Sequence, residues 1–220
     1  MGLMMQTQPV LNLDKLEGPE FDFDAGDLCL DYINTAELHA SAHPQEYLNS
    51  YIDFLRWAYL GKVVSSDNGT RLLKYAVKHP QEAERTLAEV LELREAIFHI
   101  FTARILDEEV DAGDLGIFNR YLSEALAHSR VKFDGRTGHW EWEGAENNLD
   151  WPLWPILHAA AQLLTSDNIE RLGQCQDDRG CGWLFIDTSK NHSRRWCSME
   201  SCGNRAKAQR HYGRKKQADA

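Results

Sequence analysis

The first 170 residues carry apolar side chains mostly at helical spacing. The longest apolar stripe, with positions three or four residues apart, predicts a helix over residues 81–106. Shorter stripes, bounded by Gly61, Pro80 and the prolines near 152, predict further helices. These helices cover residues 47–59, 67–79, 113–129 and 152–165.

Two short segments follow the alternating pattern of β-strands instead. Residues 130–133 and 139–142 flank a polar turn at 134–138, which predicts a β-hairpin. A short apolar run at 182–187 predicts a strand near the C-terminus, whereas residues 36–43 suggest a loop. We therefore expect an α+β fold: a mostly α-helical N-terminal domain with a small β-hairpin or sheet component.

The charge is unevenly distributed along the 220 residues. The net charge is −10, but residues 1–186 carry −16 and residues 187–216 carry +7. An acidic body followed by a basic end suggests that the end contacts an anionic partner, although a solvated tail would look the same. Apolar runs are too short to span a membrane, and no secretory signal pattern opens the chain. We expect a cytoplasmic protein without membrane attachment.

Four of the five cysteines cluster within 28 residues near the basic end. The first two of these cysteines are separated by five residues and the last two by four, with 15 residues between the two pairs. Two close pairs of this kind suit a tetrahedral Zn²⁺ site. Disulfides or free thiols are the alternative, and a reducing compartment disfavours disulfides. Four thiolates leave no open coordination position, so one such zinc is structural. The predicted ligands are Cys175, Cys181, Cys197 and Cys202.

The residues after Ser198 lack proline and favour a basic helix. On a helical wheel Lys207, Arg210 and Arg214 form one stripe, whereas Arg205 lies nearer the Cys202 side. Arg205 is therefore expected to offset the thiolate charge or to pair with Asp187. The candidate DNA-contacting residues are the stripe together with two arginines before the third cysteine: Arg194, Arg195, Lys207, Arg210 and Arg214.

Arg94 interrupts the apolar stripe of the longest predicted helix. An arginine that faces the core needs an ion-pair partner, and Asp31 lies in an apolar context that suits this role. The alternative is that Arg94 faces a pocket and binds a small ligand, with Asp31 and Asn34 beside it.

Specific motifs make the chain resemble two known families. Segments 181–189, 194–199 and 202–207, the last opening with Cys202-Gly203-Asn204-Arg205, resemble the CGNR zinc finger. Segment 26–35 looks like the opening motif of the ABATE domain that precedes such fingers. The resemblance implies a stress-induced bacterial transcription regulator with a ligand-binding N-terminal domain over 1–170 and a DNA-binding zinc finger over 171–220, built from knuckles, a short strand and a basic helix.

Three functions remain open at this point. The first is a ligand-responsive, DNA-binding regulator, the second a zinc-stabilised module that binds a protein partner, and the third a small-molecule enzyme with a structural zinc. Common motifs of nucleophilic, nucleotide-dependent and zinc-dependent catalysis are absent from the sequence, so we expect no enzyme. A homodimer is expected because small DNA-binding modules gain specificity by pairing.

Overall fold

The computed structural model describes residues 13–144 and 148–210. Within these residues, the helices of the N-terminal region enclose the core, and three two-stranded antiparallel sheets lie around it. The helices are α1 (Leu28–Ile33), α2 (Tyr51–Leu60), α3 (Ser66–Lys78), α4 (Pro80–Leu106), α5 (Ala112–Ala127) and α6 (Leu153–Leu164). The strand pairs are β1 (Ala36–Glu37) with β2 (Gln45–Glu46), β3 (Ser129–Asp134) with β4 (Thr137–Trp142), and β5 (Leu172–Gln174) with β6 (Leu184–Ile186).

The shorter elements complete the described chain. Turns of 3₁₀-helix span Leu13–Lys15 and Asp167–Arg171. A turn of π-helix, Met199–Gly203, continues as α-helix over residues 204–210. The expected α+β fold class, with a helical N-terminal region and a C-terminal cysteine cluster, is confirmed.

The five predicted helices are present with shifted ends. The largest shift is at α2, which begins at Tyr51 rather than at residue 47 because the Ser50 side chain accepts the N–H of Asp53 and caps the helix there. Residues 36–37 and 45–46 form the β1–β2 pair, so the predicted loop over 36–43 is partly wrong. Helix α1 was not predicted, because six residues are too few for a helical period to show.

The main core lies around α4, which runs through the centre of the body. Its buried positions include Val90, Leu93, Ile97 and Phe101, and it packs against α1, α2, α3 and α5. Helix α1 also packs on α6, whose Trp154 is almost fully buried. The stripe that predicted α4 therefore marks its buried face.

The C-terminal module, residues 171–210 of the described chain and called the zinc module below, shares this core. Leu184 and Ile186 of β6 are buried in the same apolar cluster as the body helices. The backbone N–H of His39 donates to the carbonyl of Cys181 at 2.9 Å, and that of Ala40 donates to Gly180 at 3.1 Å. Gly182 lies close to this contact with a φ of +71°, and a Cβ there would lie 2.6 Å from Ala40. The body and the zinc module are therefore packed as one structure.

Candidate metal centre and nucleic-acid interface

The four clustered cysteines meet in a buried site. Their sulfur atoms all lie within 4.8 Å of one another, with Cys181 and Cys197 3.8 Å apart and Cys197 and Cys202 3.6 Å apart. A tetrahedral zinc about 2.3 Å from each sulfur places the sulfurs about 3.8 Å apart, so the donor set fits Zn²⁺. The predicted structural Zn²⁺ site is confirmed.

Local backbone features bring the sulfurs together. Cys175 directly follows β5, and its N–H donates to the carbonyl of Trp183 at 2.8 Å. Cys181 lies between two glycines with positive φ, Gly180 and Gly182. Cys202 lies in the π-helical turn, where the Ser198 side chain accepts the N–H of Glu200 at 3.1 Å. The predicted helix start at Ser198 is therefore confirmed.

Arg205 compensates the charge of the cysteine cluster through a partner that the sequence did not reveal. Its Nη1 donates to the Asp177 carboxylate at 2.5 Å and lies 3.5 Å from Cys202 Sγ. Although burial raises the pKa of Asp177, hydrogen bonds from the Arg179 N–H and the Arg205 guanidinium lower it to about 2. The predicted contact with the cluster is present, but the alternative pairing of Arg205 with Asp187 is wrong.

Asp187 instead closes the loop that leads to Cys197. Its carboxylate accepts the backbone N–H of Ser189 at 2.8 Å and that of Arg194 at 2.9 Å. Asp187 therefore shapes the loop without contacting Arg205. Asp177 could have been noticed as an acidic residue two positions after the first cysteine, but nothing in its spacing marked it as the partner of Arg205.

The basic helix has one face fixed to the cysteine cluster and one face exposed. On the fixed face, Arg205 binds Asp177 and Gln209 donates to Asp178 at 2.5 Å. Lys207 and Arg210 are exposed on the other side. Over the part that the structure describes, the predicted basic stripe is therefore exposed and separate from the contacts of Arg205 and Gln209; Arg214 lies outside the described residues.

Trp196 brings two of the candidate DNA-contacting arginines together. The guanidinium carbon of Arg195 lies 5.3 Å from the centroid of its ring, and that of Arg210 lies 5.8 Å away. Both arginines are exposed. Arg195, Arg210 and Lys207 define what we call the basic face.

Arg194 does not belong to the basic face. It is half-buried, with its guanidinium 4.2 Å above the Phe185 ring. Its Nε donates to the carbonyl of Trp196 at 3.1 Å, and its Nη2 donates to the carbonyl of Cys197. These donors hold the loop around the third cysteine, so the assignment of Arg194 to a phosphate-binding surface is not supported by the structure.

Arg94 forms a buried ion pair, but not with Asp31. Its guanidinium binds both carboxylate oxygens of Glu46, at 2.7 and 2.5 Å, and also contacts Glu95. Asp31 accepts the N–H of Ala25 at 3.0 Å. The proposed Arg94–Asp31 pair is therefore wrong, because the unpredicted strand β2 brings Glu46 to the buried arginine.

Asn34 connects the body to the zinc module. Its Nδ2 donates to the carbonyl of Leu184 at 2.9 Å, and its Oδ1 accepts the N–H of Leu184 at 2.9 Å. Protein groups thus satisfy both Asn34 and Arg94. The structure does not bring Asp31, Asn34 and Arg94 together as a ligand site.

The protein is thus a zinc protein of two parts, a helical body and a compact four-cysteine module with an exposed basic helix. Comparison with family models identifies the families to which these two parts belong. The family model for ABATE, described as "Putative stress-induced transcription regulator", matches residues 26–167, and the model for the CGNR zinc finger matches residues 171–215. The chain belongs to the ABATE family and carries a CGNR zinc finger. A search of curated proteins gave no match. In the described residues no helix is long and apolar enough to cross a membrane.

Proposed function

We propose that the protein is a transcription regulator that binds DNA through the basic face of its zinc module. The observation that carries the proposal is the orientation of the basic helix. Its Arg205 and Gln209 bind Asp177 and Asp178, respectively. Lys207 and Arg210 are left exposed. Membership of the ABATE family supports the regulatory role.

The basic face suits contact with backbone phosphates. Arg195 and Arg210 both lie over the ring of Trp196, so two exposed guanidinium groups flank one aromatic side chain. Such contacts supply affinity and orientation without reading sequence. The acidic remainder of the chain would repel a polyanion, which confines DNA to this end.

The zinc itself has a structural role in this proposal. Four thiolates close its coordination, so no position is left for a substrate or an activated water. We therefore propose a binding function rather than an enzymatic one.

Regulation by a small molecule would act best where body and zinc module meet. A cavity of about 430 Å³ lies there, between Glu37 and Tyr47 of the body and the zinc ligands Cys181, Cys197 and Cys202, so it adjoins the metal centre. A ligand in this cavity contacts both parts, and it would shift the zinc module if it bound one of two arrangements more tightly than the other. Four acidic side chains on its wall, Asp22, Asp24, Glu37 and Glu200, outnumber the two arginines Arg179 and Arg205 and favour a cationic ligand. Spermidine should raise the melting temperature of the wild type more than that of Glu37→Gln; equal shifts would remove this cavity from the proposal.

Charge variants of the full chain test the DNA interface. We expect Lys207→Ala/Arg210→Ala to weaken binding of the zinc-loaded protein to a random-sequence duplex by at least about tenfold at low salt. The matched control is Lys74→Ala/Lys78→Ala, which removes the same charge from exposed positions on α3. An equal loss in both variants would show that binding is not located at the basic face. Full-length zinc-loaded protein that binds no DNA would favour a zinc-stabilised module for a protein partner.

A further inference from the structure

The hairpin β3–β4 projects from the helical body and presents an apolar face. The residues from Arg130 to Trp140 are all exposed. Val131, Phe133 and Trp140 are 55%, 69% and 48% exposed, and the register that pairs Val131 with Trp140 places all three on one face. A two-stranded hairpin is marginally stable on its own, and an apolar face of this kind marks an interaction surface.

The outer strand of the hairpin is β3. The ring contacts with α6 come from β4: Trp140 lies 4.8 Å from His158, and Trp142 lies 6.3 Å from Trp154. Among the described residues, no third strand pairs with β3. Its outer edge is therefore open to another strand.

The hydrogen-bonding pattern shows which groups face outward. Gly135 has a φ of +65° in a two-residue turn between Asp134 and Thr137, as in the tight turns of β-hairpins. In such hairpins the residues that flank the turn form a hydrogen-bonded pair, and the pairs alternate from there. The N–H and C=O groups of Phe133 and Val131 consequently point away from β4.

We propose that the protein forms a two-fold symmetric homodimer in which the β3 strands of two copies pair antiparallel and make a four-stranded sheet. In the register centred on Lys132, Val131 of each copy forms a hydrogen-bonded pair with Phe133 of the second copy. Arg130 then lies directly opposite Asp134 of the second copy, twice in the dimer. This proposal does not rest on DNA binding.

Charge complementarity favours this partner and excludes a shift of the register toward Arg130. Charged residues on an edge strand usually discourage pairing. Here their order is self-complementary, with Arg130 and Asp134 on either side of Lys132. A shift of the register by one pair of residues toward Arg130 would set Arg130 against Lys132 of the second copy, which is repulsive. The two Lys132 side chains meet at the axis, where each is neutralised by Glu141 of its own hairpin.

The dimer also covers the apolar face more fully. Val131 and Phe133 of the two copies become neighbours on the same face, and Trp140 flanks them in each outer strand. The result is one continuous apolar strip on a sheet without an open inner edge. An isologous contact of this kind closes at two copies and does not continue into a fibre.

Sedimentation velocity tests the proposal through a charge swap. Wild-type protein should sediment with twice the 25.2 kDa mass of one chain. Both Arg130→Asp and Asp134→Arg should raise the dissociation constant of the dimer at least about tenfold, since each sets like charges opposite each other. The double variant Arg130→Asp/Asp134→Arg should restore the dimer. Circular dichroism checks that each variant is folded. A wild-type monomer, or a dimer that the single variants leave unchanged, would overturn the proposal.

Cysteine cross-linking tests the register separately. In a non-hydrogen-bonded pair the Cα atoms are about 4.5 Å apart, which a disulfide can span. Lys132→Cys should therefore form a disulfide-linked dimer under mild oxidation of the zinc-loaded protein. Arg130→Cys, which would face Asp134 rather than itself, should not. Equal cross-linking of both variants, or of neither, would contradict this register.

Discussion

The side-chain amide of Asn34 forms two hydrogen bonds with the backbone of Leu184, one to its carbonyl oxygen and one from its N–H, each 2.9 Å long. Asn34 ends α1 in the body, and Leu184 begins β6 in the zinc module. Both residues are buried. A single side chain thus connects two segments that lie 150 residues apart in the sequence. The zinc module is attached to the core of the body and also contributes residues to that core.

Replacing Asn34 by Ala should destabilise the whole protein. The change leaves the N–H and C=O of Leu184 buried without partners, which costs about 2–4 kcal/mol in total. Urea denaturation measures the free energy of unfolding. Asn49→Ala is the control, since it removes one exposed hydrogen bond to Glu46 and should cost less than about 1 kcal/mol. Equal small losses in both variants would show that the contact between Asn34 and Leu184 is unimportant.

Loss of a zinc ligand should destabilise the body as well as the zinc module. We expect Cys202→Ser to bind less zinc and to unfold at a lower temperature, because the cluster holds a module that shares the main core. Elemental analysis and calorimetry measure the two effects. Cys29→Ala provides the control, since Cys29 is buried outside the cluster and its loss should leave zinc content unchanged. A Cys202→Ser protein with wild-type zinc content would exclude Cys202 as a ligand.

Arg205 should strengthen zinc binding without being a ligand. Its guanidinium contacts both Cys202 Sγ and the Asp177 carboxylate, so Arg205→Ala leaves the thiolate charge less compensated. We expect zinc affinity to fall about 10- to 100-fold, measured by competition with a chelator. Lys190→Ala removes an exposed cation from the neighbouring loop and should have no effect. If the two variants bind zinc equally well, Arg205 has no part in holding the metal.

Asp31 should make the stability of the protein depend on pH. Burial, together with the nearby charges of Asp24 and Asp27, raises the pKa of Asp31 to about 7, although the hydrogen bond from the Ala25 N–H lowers it. Since the folded-state pKa lies above the unfolded value of 3.8, the folded state binds the proton more tightly. The tighter binding of this proton therefore adds to the free energy of unfolding. That stabilisation is fully present below pH 3.8 and is lost as the pH rises toward about 7.

Asp31→Asn should remove this dependence. The amide oxygen of Asn can still accept the N–H of Ala25, whereas no charge has to be buried. We expect the variant to be more stable than wild type above pH 7, with the difference shrinking as the pH falls. Denaturation curves at a series of pH values measure the difference. A constant difference across the series would mean that Asp31 does not titrate in this range.

Local patterns in the sequence predicted the long helices, the hairpin and the zinc ligands. The period of the α4 stripe and the spacing of Cys175, Cys181, Cys197 and Cys202 are local signals, and both led to the correct structure. The position of Lys207 and Arg210 on the exposed side of their helix followed from helical geometry in the same way.

The pairings between distant segments could not be predicted from local patterns. Arg94 binds Glu46, which lies 48 residues away in a two-residue strand, and Arg205 binds Asp177 rather than Asp187. The chain offers 34 acidic residues as partners, so residue type alone could not select the correct one. The clamp between Asn34 and Leu184 involves a backbone partner, which leaves no mark in the sequence.

The dependence of DNA affinity on salt tests the central proposal most directly. Zinc-loaded full-length protein is titrated against a random-sequence duplex over a range of salt concentrations. Each phosphate neutralised contributes about −0.9 to the slope of log affinity against log salt, so contacts from Arg195, Lys207 and Arg210 predict a slope of roughly −2 to −3 or steeper. Absence of binding at low salt, or an affinity that does not change with salt, would contradict a phosphate-binding basic face.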